Sequence, residues 1–178
     1  MMIFLDTEFT SLLQPELLSL GLVTIDRSQE HYVELDLETA IGRARREASS
    51  DFVRYGVLDL FGRVPASQFS APGMGVLTAE WLLATAARNG GSVDVGFDYP
   101  TDYELLEELI REVGLWTSVR QVVRPVNVLA ITGTIDGELA ADACYIDLKR
   151  RGLERHHALA DAHALACAYR AVRGSTCA

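Results

Sequence analysis

Long apolar runs are missing from this chain of 178 residues: nowhere do 18 apolar residues follow one another, so a membrane-spanning helix is not expected. Cysteine is scarce as well. Cys144, Cys167 and Cys177 are an odd number without metal-ligand spacing, which argues against a disulfide framework or a zinc site. The N-terminus offers neither a basic segment nor a long apolar one of the secretory kind, so a reduced, cytoplasmic protein is expected. Basic charge is short too: 16 Lys and Arg stand against 25 Asp and Glu, a net charge of −9. That balance excludes broad electrostatic wrapping of a polyanion. It leaves open a site whose carboxylates are metal ligands. Repeats and low-complexity linkers are absent, and 49% hydrophobic residues are enough for one substantial core, so a single domain spanning 1–178 is expected.

The most informative stretch that is present is Met1-Met2-Ile3-Phe4-Leu5-Asp6-Thr7-Glu8-Phe9. Its five apolar residues read as a strand buried on both faces. Side chains alternate along a strand, so Asp6 and Glu8 project to the same side at its end. Two adjacent carboxylates stay ionised cheaply only with a cation between them, and an all-oxygen set suits Mg²⁺ or Mn²⁺. A solvated acidic strand exit is the plainer reading of a lone D-x-E.

Leu17 to Asp26 reads as a second strand and His31 to Leu37 as a third, joined as a hairpin through Asp26 to Glu30. The middle of the chain mixes helical pieces with a Gly/Pro loop at Ala71-Pro72-Gly73-Met74-Gly75. Thr78 then looks like a helix start, and Asn89-Gly90-Gly91 ends that helix. Ser92 to Phe97 is a short strand, and Thr101-Asp102 opens an amphipathic helix with Leu105, Leu106, Leu109 and Ile110 on one face. Asp98 and Asp102 thus lie near the carboxyl end of a strand, where open α/β sheets place their ligands. An Asp that starts a helix also has an ordinary explanation as its cap, and on spacing alone that comes first for Asp102. A further strand spans Val122 to Leu129, and helices are expected over 139–151 and 157–173.

The last helix carries Glu154-Arg155-His156-His157-Ala158-Leu159-Ala160-Asp161-Ala162. Asp161 stands on an Ala-rich apolar face, where a carboxylate needs a partner or a metal. His157 is four residues before it and would share its helix face. His156, five before, would approach only from the entering turn.

In order, the three segments resemble the DEDDh family of 3′-to-5′ exonucleases, the RNase T-like branch of the ribonuclease H-like superfamily. Phe4-Leu5-Asp6-Thr7-Glu8-Phe9 is similar to its first motif, Asp102-Tyr-Glu-Leu105-Leu106 to its second, and His156 with Asp161 in HHALADA to its H-x4-D third. Phe52-Val-Arg-Tyr-Gly-Val-Leu58 also resembles a stretch of the small bacterial exoribonucleases of this branch. Asp98 stands where the family often has Asn, which leaves it as a backup ligand or a substrate contact.

The resemblance implies a three-layer α/β ribonuclease H-like fold, with a central mixed five-stranded sheet of order 3-2-1-4-5 flanked by helices. It implies two Mg²⁺ ions, replaceable by Mn²⁺, on Asp6, Glu8, Asp102 and Asp161, with Asp6 bridging. His156 would be the general base, and Thr7 and Phe9 would touch substrate, Thr7 through its backbone and Phe9 through its ring, although a core role for Phe9 is equally compatible. The implied substrate is the 3′ end of single-stranded RNA or DNA, RNA before DNA, released as nucleoside 5′-monophosphates, and the implied assembly is a homodimer.

Two other readings compete. Asp6-x-Glu8-x-Thr10 superficially matches the D-x-D-x-T of haloacid-dehalogenase-like phosphatases, but that class needs a second Asp and a well-placed Lys, and Lys149 is the chain's one lysine. A non-catalytic nucleic-acid-binding relative would have lost carboxylates, and all four are here. Of the basic clusters, Arg43-Ala44-Arg45-Arg46 reads as a solvated helix face, while Lys149-Arg150-Arg151 and Arg155 lie close enough to the His/Asp segment to meet phosphate.

Overall fold

A computed structural model describes residues 1–175. Its centre is a mixed six-stranded sheet. The strands are β1 (Met2–Phe9), β2 (Leu17–Thr24), β3 (Glu30–Leu35), β4 (Gln68–Phe69), β5 (Val93–Phe97) and β6 (Val123–Asn127), in the order β4-β3-β2-β1-β5-β6. β1, β2 and β3 pair antiparallel, whereas β5 and β6 run parallel to β1. The expectation of five strands therefore needs correcting. The extra one is the two-residue β4, parallel to the end of β3 and too short to leave a periodic signal. Without it the order matches the expected one.

Helices cover both faces: α1 (Ala40–Ala48), α2 (Ala71–Arg88), α3 (Pro100–Glu112), α4 (Trp116–Val119), α5 (Leu129–Thr132), α6 (Ile135–Leu148) and α7 (Ala158–Ser175). Alternation along β1 decides what each face meets. Ile3 and Leu5 join Met74 and Leu82 of α2 and Leu106 and Ile110 of α3 in the larger core. Phe4 points the other way, onto Leu165 and Ala166 of α7. All three strand residues are fully buried, as a strand covered on both sides requires.

Three helix starts differ from expectation, the simplest being α6, which begins at Ile135 and not Leu139 because Thr134 caps it by accepting from the Gly137 N–H. α2 begins at Ala71, not near Thr78, because Ser70 caps it by accepting from the Gly73 N–H and Pro72 sits in the first turn, where a missing N–H costs nothing. The glycines that suggested a loop serve packing: a Cβ on Gly75 would lie 2.7 Å from the Leu109 carbonyl oxygen of α3. Thr78 is buried within the helix and hydrogen-bonds His31 Nε2 at 3.0 Å. The remaining difference is that α7 begins at Ala158. His157 precedes it, and its carbonyl accepts the Asp161 N–H at 3.0 Å. The stop at Asn89-Gly90-Gly91 is as expected, with both glycines at positive φ. Among the described residues no helix is long and apolar enough to cross a membrane.

Candidate metal centre

β1 pairs with β5 only through Met2, Ile3 and Phe4, so its last turn of sequence runs on beyond the parallel partner. A crevice opens there, at the carboxyl ends of two parallel strands and beside the point where the sheet changes direction. Asp6 and Glu8 stand on this free end, and a register shift between Glu8 and Phe9 bends the strand just behind them. Asp98 follows β5 directly, and Asp102 lies in the first turn of α3.

α7 supplies the remaining carboxylate because it lies directly on the sheet. Gly21 of β2 is the register partner of Asp6, and a Cβ there would be 2.4 Å from the Ala158 carbonyl oxygen. Only glycine allows the helix start to come so near. Three residues on, Asp161 reaches the carboxylates of β1, and one cleft of about 360 Å³ is lined by Asp6, Asp98, Tyr145, Arg155 and Asp161.

Each acid is held differently. Asp102 is 3% exposed, and its Oδ1 accepts a 2.7 Å hydrogen bond from Thr7 Oγ1. Its capping role does not appear: the cap position of α3 is Tyr99, and no side chain caps that end. Thr7 thus turns its hydroxyl to Asp102, which still lies near enough to Asp6 and Glu8 to raise both. Asp161 accepts from Tyr145 Oη at 2.6 Å and from the His156 backbone N–H at 3.0 Å. One oxygen of Asp6, Oδ2, is buried without any hydrogen-bond partner.

The electrostatic result is a set of acids that resist ionisation. Burial raises Asp6 well above the usual carboxylate range, and Asp161, Asp102, Glu8 and Asp98 add to the effect. Burial, then Asp161 and Asp102, push Glu8 up to about 8. Burial pushes Asp102 up to about 7 against the opposing Thr7 hydrogen bond, with Asp98 and Asp161 contributing. Asp161 and Asp98 are raised too, chiefly by burial. A bare cluster of this kind is costly, and a divalent cation is the partner that would let it ionise. The orphaned Asp6 oxygen, surrounded by oxygen donors, fits a hard cation such as Mg²⁺ or Mn²⁺.

The adjacent histidines go to different places. His156 is exposed, with φ +66°, a left-handed conformation uncommon outside glycine. Its ring meets Phe52 edge-on at 4.9 Å, and ligand atoms of Glu8, His156 and Asp161 all lie within 4.8 Å of one another. His157 is 2% exposed and stacked on Tyr32 at 4.5 Å; burial lowers it to about 4. The expectation that it would share a helix face with Asp161 fails because it precedes the helix and turns into the core.

Phe9 stacks with the half-exposed Tyr99 at 6.4 Å, a ring pair between the strand end and the start of α3. Of the basic residues near the last motif, Arg155 lines the cleft, ion-paired to Asp142 and 4.4 Å above the Tyr145 ring. Arg151 is instead engaged by Glu30. In the other cluster, Arg45 bonds the Leu17 carbonyl at 2.7 Å and meets Glu16 at 3.6 Å, so it is not merely solvated.

No protein-family model matches this chain, and no curated protein matches it either. Three contributors had gone unnoticed in the sequence: Tyr145, Phe52 as the neighbour of His156, and Gly21. Of these only Gly21 left a signal, a glycine inside an otherwise apolar strand, which marks close approach of another backbone.

Proposed function

We propose that this chain is a metal-dependent 3′-to-5′ exonuclease of the DEDDh kind with a ribonuclease H-like fold, acting on single-stranded nucleic acid, RNA before DNA. The observation that carries the reading is the convergence of Asp6, Glu8, Asp102 and Asp161 from three separate elements around a buried, unpartnered carboxylate oxygen. Two Mg²⁺ or Mn²⁺ ions on these residues would neutralise the charge that develops on the phosphate as it is attacked. Thr7 and Tyr145 fix Asp102 and Asp161 so that the acids stay aimed at one another.

His156 is the general base. It is exposed beside Glu8 and Asp161, where its imidazole would take the proton of a water attacking the phosphate. The strained turn and the Phe52 edge hold it there. Phe9 and Tyr99 would offer the terminal base a surface to stack on, and Asp98, which lines the cleft with Asp6 and Asp161, would take a sugar hydroxyl or a ligand role. A homodimer is the favoured assembly, from family resemblance alone.

The test is a single-stranded oligoribonucleotide labelled at its 5′ end. With Mg²⁺ it should shorten stepwise from the 3′ end and release nucleoside 5′-monophosphates; unaltered hydrolysis in excess chelator would refute the reading.

A further inference from the structure

A second group of reactive side chains lies away from the carboxylates. Cys144 of α6 and Cys167 of α7 are both free, and Cys167 packs against the apolar cluster that holds Cys144. Arg27, in the turn after β2 at φ +62°, donates from Nη1 to Cys167 Sγ at 3.2 Å and from Nε to His163 Nδ1 at 3.1 Å. A separate cleft of about 440 Å³ opens over them, lined by Arg27, Cys144, Asp147, Cys167, Arg170 and small alanines. Cys144 is 3% exposed, whereas Cys167 is partly accessible.

We propose that Cys167 is a peroxide-reactive thiolate, and that Cys144 resolves its oxidised form into a disulfide joining α6 to α7. The guanidinium of Arg27 favours the charged sulfur, and the Cys144 thiol donates to it. That neighbouring thiol, ahead of the Arg27 and Arg170 charges, lowers Cys167 to about 6, while Cys144, as the donor, is raised. Burial opposes the lowering of Cys167; the other groups facing the pair are Asp147 from α6, which adds to the rise of Cys144, and His163 from α7, which Arg27 and Glu30 engage.

In the first step Cys167 Sγ attacks one oxygen of a hydroperoxide. The S–O bond forms, the O–O bond breaks, and hydroxide or alkoxide leaves and is protonated from solvent, so the sulfur is oxidised by two electrons and the peroxide reduced by two. In the second step Cys144 Sγ attacks that sulfenic sulfur. The S–S bond forms, the S–O bond breaks, and the departing hydroxide leaves as water with the Cys144 proton. Resolution needs no solvent access to Cys144, because Cys167 packs against the same cluster and lines the same cleft.

The experiment uses full-length protein carrying Cys177→Ser, which removes the third thiol. Hydrogen peroxide near stoichiometric amounts should convert two alkylatable cysteines into none, peptide mapping should show a Cys144–Cys167 link, and dithiothreitol should restore both. Cys144→Ser should instead stop at a Cys167 sulfenic acid that dimedone traps. Alkylation of Cys167 should reach half its maximal rate near pH 6. Two thiols surviving peroxide, a Cys167 oxidised to the sulfinate with Cys144 still free, or alkylation titrating at pH 8 to 9 would each overturn the proposal.

Discussion

Raising the pH of the metal-free Cys167→Ser protein from 6.5 to 8.5 should destabilise it, against the usual expectation for a protein rich in carboxylates; the substitution removes the thiol whose titration near 6 in the folded chain adds about 2 kcal/mol of stability over the same window. Glu8 titrates near 8 and Asp102 near 7 in the folded chain, against about 4 for such groups when unfolded. Over this window the native state holds more protons than the unfolded one. Stability contributed by such raised acids is fully present below the unfolded value and lost as pH climbs through the folded values. Integrating the two titrations gives a loss of about 2 kcal/mol from Glu8 and just under 1 from Asp102, so about 2 to 3 kcal/mol together as an order of magnitude. The buried histidines His31 and His157, both lowered to about 4, oppose the effect in part: an unfolded imidazole is about half protonated at pH 6.5, so the pair returns about 0.8 kcal/mol by pH 8.5, which leaves a net loss of about 2 kcal/mol and a fall in Tm of about 4 to 8 °C. Thermal melts in chelator at pH 6.5, 7.5 and 8.5 measure the effect. Saturating Mg²⁺ should remove it and raise Tm most at the highest pH, because the ion binds the ionised acids. A metal-free Tm that stays level or rises over this range would refute the electrostatic description of the site.

His156→Ala should slow the chemical step by about 10²- to 10⁴-fold in single-turnover assays while the Mg²⁺-induced rise in Tm persists. His157→Ala should leave turnover far closer to normal and lower stability by about 2 to 4 kcal/mol in denaturant titrations, since it empties a buried space beside Tyr32. Asp102→Ala should abolish both turnover and the Mg²⁺ effect on Tm, whereas Asp98→Ala should mainly raise KM; the reverse pattern would relocate the second motif. Tyr145→Phe, which removes the 2.6 Å hydrogen bond to Asp161, should weaken Mg²⁺ binding by about 10- to 100-fold in calorimetry with the fold intact.

Much of the site was legible because it is written in short local patterns. The period of two along β1 put Asp6 and Glu8 together, and the break from apolar run to carboxylates marked the strand's free end. Pro100 and the Leu105 to Ile110 stripe placed α3, and with it Asp102. What could not be read was contact across elements. Nothing in Thr7 or Tyr145 announces a partner 95 or 16 residues away. Helix boundaries misled where one residue type has two uses. Glycine breaks helices in isolation, yet at Gly75 it lets α2 approach α3, and a hydroxyl that resembled a cap at Thr78 is a buried partner of His31. The motif resemblance favoured His156, but on spacing alone the two histidines were separable only by where α7 begins, a boundary that a shift of one residue would reverse.

The central claim is that the four carboxylates form a two-ion centre with His156 outside the coordination shell. Anomalous scattering from crystals soaked in Mn²⁺ tests it most directly. The account predicts two peaks held by Asp6, Glu8, Asp102 and Asp161, with the His156 ring unbound. A single ion ligated by Glu8, His156 and Asp161, or no peak among the carboxylates, would contradict it.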